Sequence, residues 1–545
     1  MSLFSAPVDR IAVANPVVYS RSLTQPHIMT RTAKLLLVPV VLLQIVLFTF
    51  VVQHRFIHVD EGFFLLASRL VLMHKKPYLD FFYPQAPLLP YIYALWMKCF
   101  GISWAAGRLL AAVLTTLLGA LLYEHVCRLT RNWLAGLAAV VVFVSSTLVF
   151  AWFPIVGPFS LAALFIFSTY VIVSRLSAES SHWLIGAAGL LLGLSVDIRS
   201  YLLLLIPLFV WWIFQTCNTR TRLASILWFL GGFSIAMVPS LYLFLSSPDA
   251  FLFNNLGYHA IRSSEGLIGM WQEKLVLAVM FFFGGPGANG IQNSILFFVS
   301  LGFVFSMPGR KYPPRLAFQI AVVVGILSLL PTPAYLPYFC LAVPFLIVSA
   351  VCVVNDLLVS SELRQQRLLA AVACVALLGV YVGASARDVQ RYFQTGEGIP
   401  GVRWARDKGD WRLQRILEVS QAIDQIASPG EMVASFWPGD VFQTTGTSFR
   451  GFENPFALAV SEKLTAQQRA RYHILSPADI ESDFAVHTPR IVVLRDQVFS
   501  AVPTAEELRR LQGSMDAFKS SLRDNGYTLV RSIGGISIYV YSSKS

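Results

Sequence analysis

The sequence predicts an α-helical polytopic membrane protein, with about eleven transmembrane helices and a small C-terminal α/β domain. Of its 545 residues, 56% are hydrophobic and only 13% are charged, whereas soluble domains are typically about 25% charged. Long apolar runs recur up to residue 384, as expected of helices that cross a bilayer. Beyond residue 385 charged residues become frequent and the apolar runs shorten to strand length, which predicts a separate folded domain.

These runs set the predicted domain boundaries. We expect a cytoplasmic N-terminal tail over residues 1–33, a transmembrane module over 34–384 and an extracytoplasmic α/β domain over 385–545. No small-residue cleavage site follows the polar, basic tail, so the first apolar run is expected to be a signal anchor. The predicted spans are 34–52, 105–123, 133–152, 156–174, 183–197, 200–215, 223–245, 290–307, 315–331, 334–354 and 367–384.

Basic residues predict the orientation. The net charge of +12 does not indicate nucleic-acid binding, because the basic residues are dispersed between the apolar runs. With the tail inside, every cytoplasmic connection is basic and the short opposite turns are not, as the positive-inside rule requires. The first outer loop (53–104) and residues 385–545 then lie outside. If Leu275–Phe283 were a full span, the predicted membrane orientation of every later segment would be reversed. We therefore predict a re-entrant or interfacial helix there.

The outer segments contain further predicted elements. In the first outer loop Gly62–Met73 and Leu88–Phe100 are apolar runs interrupted by Arg69 and Lys98, which predicts amphipathic helices lying in the outer interface. The C-terminal domain is expected to contain helices and strands, with a four-residue hairpin turn. They are the helices Leu413–Ile426 and Ala505–Arg523 and the strands Met432–Phe436, Arg490–Leu494, Tyr527–Arg531 and Ile536–Tyr541. None of the six cysteines is at metal-ligand spacing, so neither a disulfide framework nor a zinc site is expected.

The acidic pair Asp60-Glu61 follows the first apolar run directly. Charged residues are costly near the bilayer, so such a pair predicts a functional site. One interpretation is a catalytic base, with help in holding a divalent cation, since a carboxylate at a half-dry interface can take a proton from a hydroxyl or amine. The other is a helix N-cap, because an Asp before a helix satisfies free N–H groups. His58 is either a metal ligand beside Asp60 or a half-solvated side chain.

A series of motifs follows this pair. They are Asp60-Glu61-Gly62, Pro77-Tyr78-Leu79-Asp80-Phe81-Phe82, Pro84-Gln85-Ala86-Pro87-Leu88-Leu89, Phe100-Gly101-Ile102-Ser103 and Gly107-Arg108-Leu109. Their order resembles the glycosyltransferase C superfamily, and more narrowly the bacterial branch akin to protein O-mannosyltransferases and lipid A aminoarabinose transferases. The resemblance is strong over residues 30–250 and weaker beyond, where Tyr335-Leu336-Pro337-Tyr338 echoes a later span.

The resemblance implies roles for individual residues. Asp60 would be the base, Glu61 would orient it or bind metal, and Arg108 would contact the donor phosphate. Some relatives carry a Lys before a Pro pair in the outer loop, but Pro84-Gln85-Ala86-Pro87 is uncharged, so Lys75, Lys76 or Arg199 would substitute. The metal ligands, if a divalent cation binds, would be Asp60, Glu61 and His58.

Other polar residues have two open interpretations each. Arg199 either adds positive potential for a lipid phosphate or pairs with Asp197 in a tight turn. Asp80 either faces the substrate cavity or forms a turn after Pro77. His259 and Arg262 either line the acceptor entrance or belong to a plain loop over residues 246–289. The remaining cavity candidates are Tyr83, which could stack on a sugar, and Gln85.

The resemblance therefore implies a multi-pass enzyme of the bacterial inner membrane. It would move a sugar from a polyprenyl-phosphate donor to an extracytoplasmic acceptor, which would be a protein, a glycolipid or a polymer, in an inverting displacement with an Asp base. The alternative is a transporter or flippase of a lipid-linked sugar, since such proteins also place charges near cavities. Three features of the sequence favour the enzyme over the transporter. The charged residues lie near one outer face, no inverted repeat is evident, and a folded domain ends the chain.

Overall fold

The computed structural model describes residues 29–262, 267–284, 289–302, 312–360, 363–399, 401–402, 405, 407–496 and 505–542. The chain is mostly helical and carries one small sheet near its C-terminus, as the sequence predicts. The predicted N-terminal tail lies almost entirely outside the described residues.

The apolar part of the chain forms nineteen described helices. They are α1 (Arg31–His54), α2 (Val59–Leu72), α3 (Leu88–Phe100), α4 (Trp104–Thr130), α5 (Trp133–Ser145), α6 (Thr147–Trp152), α7 (Pro158–Ser174), α8 (His182–Val196), α9 (Ile206–Thr216), α10 (Arg222–Ala236), α11 (Val238–Ser246), α12 (Pro248–Leu252), α13 (Tyr258–Arg262), α14 (Leu267–Phe283), α15 (Gly290–Leu301), α16 (Pro313–Leu327), α17 (Val343–Ser360), α18 (Arg364–Ala384) and α19 (Ala386–Gln390). The 3-10 helices Ser200–Leu205 and Leu336–Ala342 precede α9 and α17.

Not every predicted span is one long helix. Within the described residues, four helical segments are long and apolar enough to cross a membrane, namely Arg31–His54, Trp104–Thr130, Leu336–Val359 and Arg364–Thr395. The pair α10 and α11 would be a fifth, although it bends by 50°. The predicted span 133–152 is divided at Ser146 into α5 and α6. The predicted interfacial segment Leu275–Phe283 is the second half of the longer helix α14.

The C-terminal domain is built on a five-stranded sheet with the order β2-β1-β3-β5-β4. The strands are β1 (Met432–Ser435), β2 (Thr447–Ser448), β3 (Ile491–Arg495), β4 (Tyr527–Ile533) and β5 (Ile536–Tyr541), and the helices are α20 (Leu413–Asp424), α21 (Leu458–Ser461), α22 (Ala466–Tyr472), α23 (Pro477–Ala485) and α24 (Ala505–Asp524). Strand β1 runs parallel to β2 and β3, whereas β5 is antiparallel to β3 and β4. The predicted four-residue hairpin turn is wrong, because only Gly534 and Gly535 separate the strands.

The amphipathic pattern predicts that helix α2 lies in the outer interface of the membrane, and this prediction is wrong. Residues 61–70 are all buried, and the C-terminal domain covers the helix. Arg69, which interrupts the apolar run, is buried as well, and its guanidinium donates to the backbone carbonyls of Val441 and Phe442 at 3.0 Å and of Gly446 at 2.7 Å. A charged side chain is thus compatible with burial, because its donors are hydrogen-bonded.

The first turn of α2 is fixed by the same part of the C-terminal domain. The buried indole of Trp437 donates to the carbonyl oxygen of Val59 at 2.8 Å. A Cβ atom on Gly62 would fall 2.7 Å from the Cα of Gly439, so the two backbones touch here. Residues 437–446 therefore hold both ends of the helix that carries Asp60. The C-terminal domain and the first outer loop consequently lie on the same face of the helical bundle.

Candidate active site

The first turn of α2 presents Asp60 to the surroundings and buries Glu61. The helix begins with a capping box, in which the backbone N–H of His58 donates to the Glu61 side chain at 2.9 Å. The His58 ring in turn accepts a hydrogen bond from the backbone N–H of Asp60 at 3.1 Å. The cap is therefore His58, and the side chain of Asp60, which is 42% exposed, is left available for chemistry.

Glu61 forms a buried ion pair with Arg108 of α4. The Arg108 Nε atom lies 3.0 Å from one carboxylate oxygen of Glu61, and neither side chain is exposed. The same oxygen accepts the backbone N–H of Val156 at 3.2 Å. The carboxylate of Glu61 thus has three donors around it and joins α2, α4 and the segment before α7. Arg108 is therefore held by Glu61 through one edge of its guanidinium, while its Nη1 atom has no partner among the described residues.

Asp60 lies within electrostatic range of three tyrosines. Its carboxylate is close enough to act electrostatically on the phenol groups of Tyr258, Tyr335 and Tyr338. Arg262 at the end of α13 donates a hydrogen bond to the hydroxyl of Tyr335 and lies 5.8 Å from the ring centre of Tyr258. The second outer loop and Tyr335, directly before the 3-10 helix Leu336–Ala342, therefore meet at Arg262, within electrostatic range of Asp60.

A second cation lies at the same group of tyrosines. The guanidinium of Arg199 is 4.8 Å from the ring centre of Phe159 and 5.2 Å from that of Tyr338. Arg199 and Arg262 both act electrostatically on Tyr338 and on His259, so the two positive charges belong to one site. The predicted alternative, a pair between Arg199 and Asp197, is not seen. Asp197 instead accepts a hydrogen bond from Ser240.

The other predicted cavity residues are close to this site. His259 contacts the Pro84 carbonyl through Nε2 at 3.0 Å, and burial lowers its pKa to about 4, so the ring is neutral near pH 7. Tyr83 is buried next to the charges of Arg199 and Asp197, and its hydroxyl has no partner among the described residues. Gln85 is half-buried, and its side-chain oxygen is likewise unpartnered in the described part of the chain.

Three predicted residues lie in an exposed turn of the first outer loop instead. The carboxylate of Asp80 accepts the backbone N–H of Lys76 at 2.6 Å, which is the arrangement of a turn-former. The ammonium of Lys76 donates to the hydroxyl of Tyr242 at 2.9 Å. Lys75 is exposed as well. None of these three side chains is among the residues that act on the tyrosines around Asp60.

A divalent cation does not fit the residues proposed for it. The nitrogen of the His58 ring nearest Asp60 already accepts a backbone N–H, and Glu61 is committed to Arg108 and two backbone donors. The unpartnered Nε2 of His58 carries the ring's one proton, so of the three side chains only Asp60 is left to bind a cation. No cluster of three or more His, Cys, Asp or Glu side chains suited to a metal ion occurs among the described residues.

Several residues of the site have no role assigned to them from the sequence. Tyr258, Tyr335, Tyr338 and Phe159 surround the two cations, but an aromatic residue in an apolar run looks the same whether it faces lipid or a cavity. The one available signal was the spacing Tyr335-Leu336-Pro337-Tyr338, because a proline there breaks the regular helix.

Comparison with known proteins supports the resemblance. The sequence model of one family, described as dolichyl-phosphate-mannose-protein mannosyltransferase, matches residues 84–243. A search of the curated proteins finds no significant match. The crystal structure of ArnT from Cupriavidus metallidurans bound to undecaprenyl phosphate is 12% identical, with a TM-score of 0.62 over 94% of this chain and 98% of that one. The apo form of ArnT is 11% identical, with a TM-score of 0.64 over 93% and 98%.

A third structure, the arabinofuranosyltransferase AftD from Mycobacteria, is 13% identical. The match spans 93% of this chain but only 42% of AftD, and its TM-score is 0.46. The fold of this chain is therefore that of the ArnT structures. Together with the family match, this confirms the resemblance to the glycosyltransferase C superfamily.

Proposed function

We propose, starting from the confirmed resemblance to the glycosyltransferase C superfamily, that this protein is a membrane glycosyltransferase. It takes a sugar from a polyprenyl-phosphate donor and transfers it, with inversion, to a hydroxyl or amine of an acceptor on the non-cytoplasmic face. ArnT, whose fold this chain shares, binds undecaprenyl phosphate in one of its two crystal structures, which supports a lipid phosphate of this class as the carrier. Asp60 is the proposed base.

One observation carries this proposal. Two half-buried cations, Arg199 and Arg262, share a tyrosine-lined site with the half-exposed carboxylate of Asp60. A lipid phosphate needs positive charge around its oxygens, and guanidinium groups suit phosphate geometry. A base needs an exposed carboxylate within reach of the acceptor. We therefore assign the phosphate to Arg199 and Arg262, and we assign Arg108 to holding Glu61.

The proposed reaction is a single displacement. The Asp60 carboxylate takes the proton of the acceptor hydroxyl or amine while the acceptor atom bonds to the anomeric carbon of the sugar. The bond between that carbon and the phosphate oxygen breaks, and its electron pair leaves with the polyprenyl phosphate. The guanidinium groups of Arg199 and Arg262 stabilise the negative charge that grows on the leaving oxygen, which is the larger part of the expected catalysis.

The orientation of the site is part of the proposal. The positive-inside pattern supports about eleven spans with the first outer loop on the non-cytoplasmic side. The hydrogen bonds from Arg69 and Trp437 attach the C-terminal domain to that loop. Residues 385–545 would accordingly be extracytoplasmic and would cover α2, in the inner membrane of a bacterium.

The test is the release of polyprenyl phosphate by the purified protein in lipid. Wild type and Asp60→Asn are each assayed on a panel of polyprenyl-phosphate sugars, with and without acceptor extract. We expect acceptor-dependent release by the wild type, a fall of about a hundredfold or more in Asp60→Asn, and unchanged donor binding. The matched control is Asp249→Asn, since Asp249 is an exposed carboxylate whose partner is Arg471 at 2.6 Å.

Three outcomes would contradict parts of this proposal. Donor binding without release under any condition would favour a transporter of lipid-linked sugar. Release that is unaffected by Asp60→Asn would remove Asp60 as the base. Arg471→Gln is the control for Arg262→Gln. If both variants bind polyprenyl phosphate equally tightly, Arg262 is not part of the phosphate site.

A further inference from the structure

Four buried donor groups near Asp60 have no partner among the described residues. They are the Nε2 atom of His58, the hydroxyl of Tyr93, the Nη1 atom of Arg108 and the indole Nε1 of Trp152. Each of these side chains is at most 9% exposed. Buried polar groups in folded proteins are nearly always hydrogen-bonded, so an unpartnered one calls for a ligand or ordered water. We call these four residues the donor cluster.

All four groups act as donors. An indole and a guanidinium have N–H groups and no acceptor. The His58 ring accepts the backbone N–H of Asp60 through Nδ1, and burial lowers the pKa of this histidine, so its one proton is on Nε2. The Tyr93 hydroxyl lies next to the backbone N–H of Gly157, which can only donate to it. The hydroxyl hydrogen of Tyr93 is therefore still without an acceptor.

The four residues share the same neighbours. His58 and Arg108 both bond to Glu61, and Tyr93 is within electrostatic range of it. The ring of Trp152 packs edge-on against His58, with the ring centres 5.1 Å apart. Trp152 also contacts Phe159, over which Arg199 lies. The donor cluster thus adjoins both Asp60 and the proposed phosphate site.

We propose that the donor cluster is the subsite for the sugar of the polyprenyl-phosphate donor, an assignment that rests on the proposed function. The cluster recognises acceptor atoms, because it offers four donors while both oxygens of Glu61 are already occupied. It therefore takes a sugar through its hydroxyl and ring oxygens. An ammonium group finds four donors in the cluster and no free acceptor, so a neutral sugar binds better than an aminated one.

The experiment compares binding of bare polyprenyl phosphate with binding of polyprenyl-phosphate hexose to the full-length protein in lipid. In the wild type we expect the sugar to improve affinity. In Tyr93→Phe, which removes one hydroxyl and keeps the ring, the affinity for the hexose donor should fall about fivefold to tenfold. Its affinity for bare polyprenyl phosphate should stay the same. A donor carrying an amino sugar should bind more weakly than the hexose donor.

The matched control is Tyr381→Phe, because Tyr381 is also buried with an unpartnered hydroxyl in the described part of the chain. It lies beside Ser146 and is not in the donor cluster. If Tyr93→Phe and Tyr381→Phe weaken both ligands equally, the Tyr93 hydroxyl is structural and the subsite is refuted. If the wild type binds polyprenyl phosphate with and without the sugar equally, the subsite is refuted while the phosphate site stands. If neither ligand binds, the proposed function itself fails.

Discussion

The buried pair of Glu61 and Arg108 leads to the sharpest prediction about stability. Replacing Glu61 by Gln leaves the guanidinium of Arg108 unneutralised, with no exposed surface through which water could solvate it. Breaking a buried pair from one side typically costs about 3–5 kcal/mol. We expect Glu61→Gln to lower the free energy of unfolding by about that amount. Asp60→Asn, next to it but 42% exposed, should change it by less than about 1 kcal/mol.

The assay is reversible unfolding in mixed micelles, in which denaturing detergent is titrated and helix content is followed. A double-mutant cycle isolates the pair. Arg108→Met should also destabilise, because it leaves the Glu61 carboxylate buried with only backbone donors. The double variant Glu61→Gln with Arg108→Met should be more stable than the sum of the single changes predicts, by a coupling energy of about 1–3 kcal/mol.

The opposite result would refute the structural role of Glu61. If Glu61→Gln is as stable as the wild type but inactive, the carboxylate acts in the reaction. If the coupling energy is zero, the two side chains are not paired in the protein. Either result would return Arg108 to the phosphate site that the family resemblance implies.

Three further predictions concern the junction between the C-terminal domain and the first outer loop. Trp437→Phe removes the indole donor to Val59. We expect kcat to fall while the KM for the sugar donor stays within about twofold. An equal change in kcat and KM would contradict a positioning role for Trp437. Gly62→Ala should destabilise the protein because its Cβ would meet Gly439, whereas Gly325→Ala, with open space around it, should not. Burial raises the pKa of Glu453 from 4.5 to about 7. The native state then holds this proton more tightly than the unfolded state, so stability should fall as the pH rises from about 4.5 to about 7, and Glu453→Gln should remove that slope in thermal unfolding.

The sequence predicts the local features of this fold well. Both ends of α3, the start of α4 and the ends of the hairpin strands lie within two residues of their predicted positions, because Pro87, Ser103 and Gly534 mark them in the sequence. The C-terminal end of α4, at Thr130, lies well beyond the predicted end of that span at residue 123. The acidic pair was also recognisable, because few residues carry charge beside a membrane span. These features depend on spacing along the chain alone.

What the sequence could not predict depends on partners far along the chain. Arg69 looked like the polar face of an interfacial helix, but its partners are carbonyls more than 370 positions away. Glu61 and Asp60 are adjacent and chemically similar, yet one is buried in an ion pair and the other faces the site. Arg262 approaches Tyr335 across 73 positions. Such differences arise only when the helices are packed.

The attachment of α2 to residues 437–446 also has a consequence for biosynthesis. The helix with the proposed base is synthesised directly after the first predicted span, but the groups that hold its two ends are made only after all the predicted spans have been synthesised. A chain interrupted before the sheet domain would lack these groups, and Asp60 would have no fixed position. Under the proposed function, activity would then begin only after the last domain has folded, so that unfinished chains would not consume lipid-linked sugar.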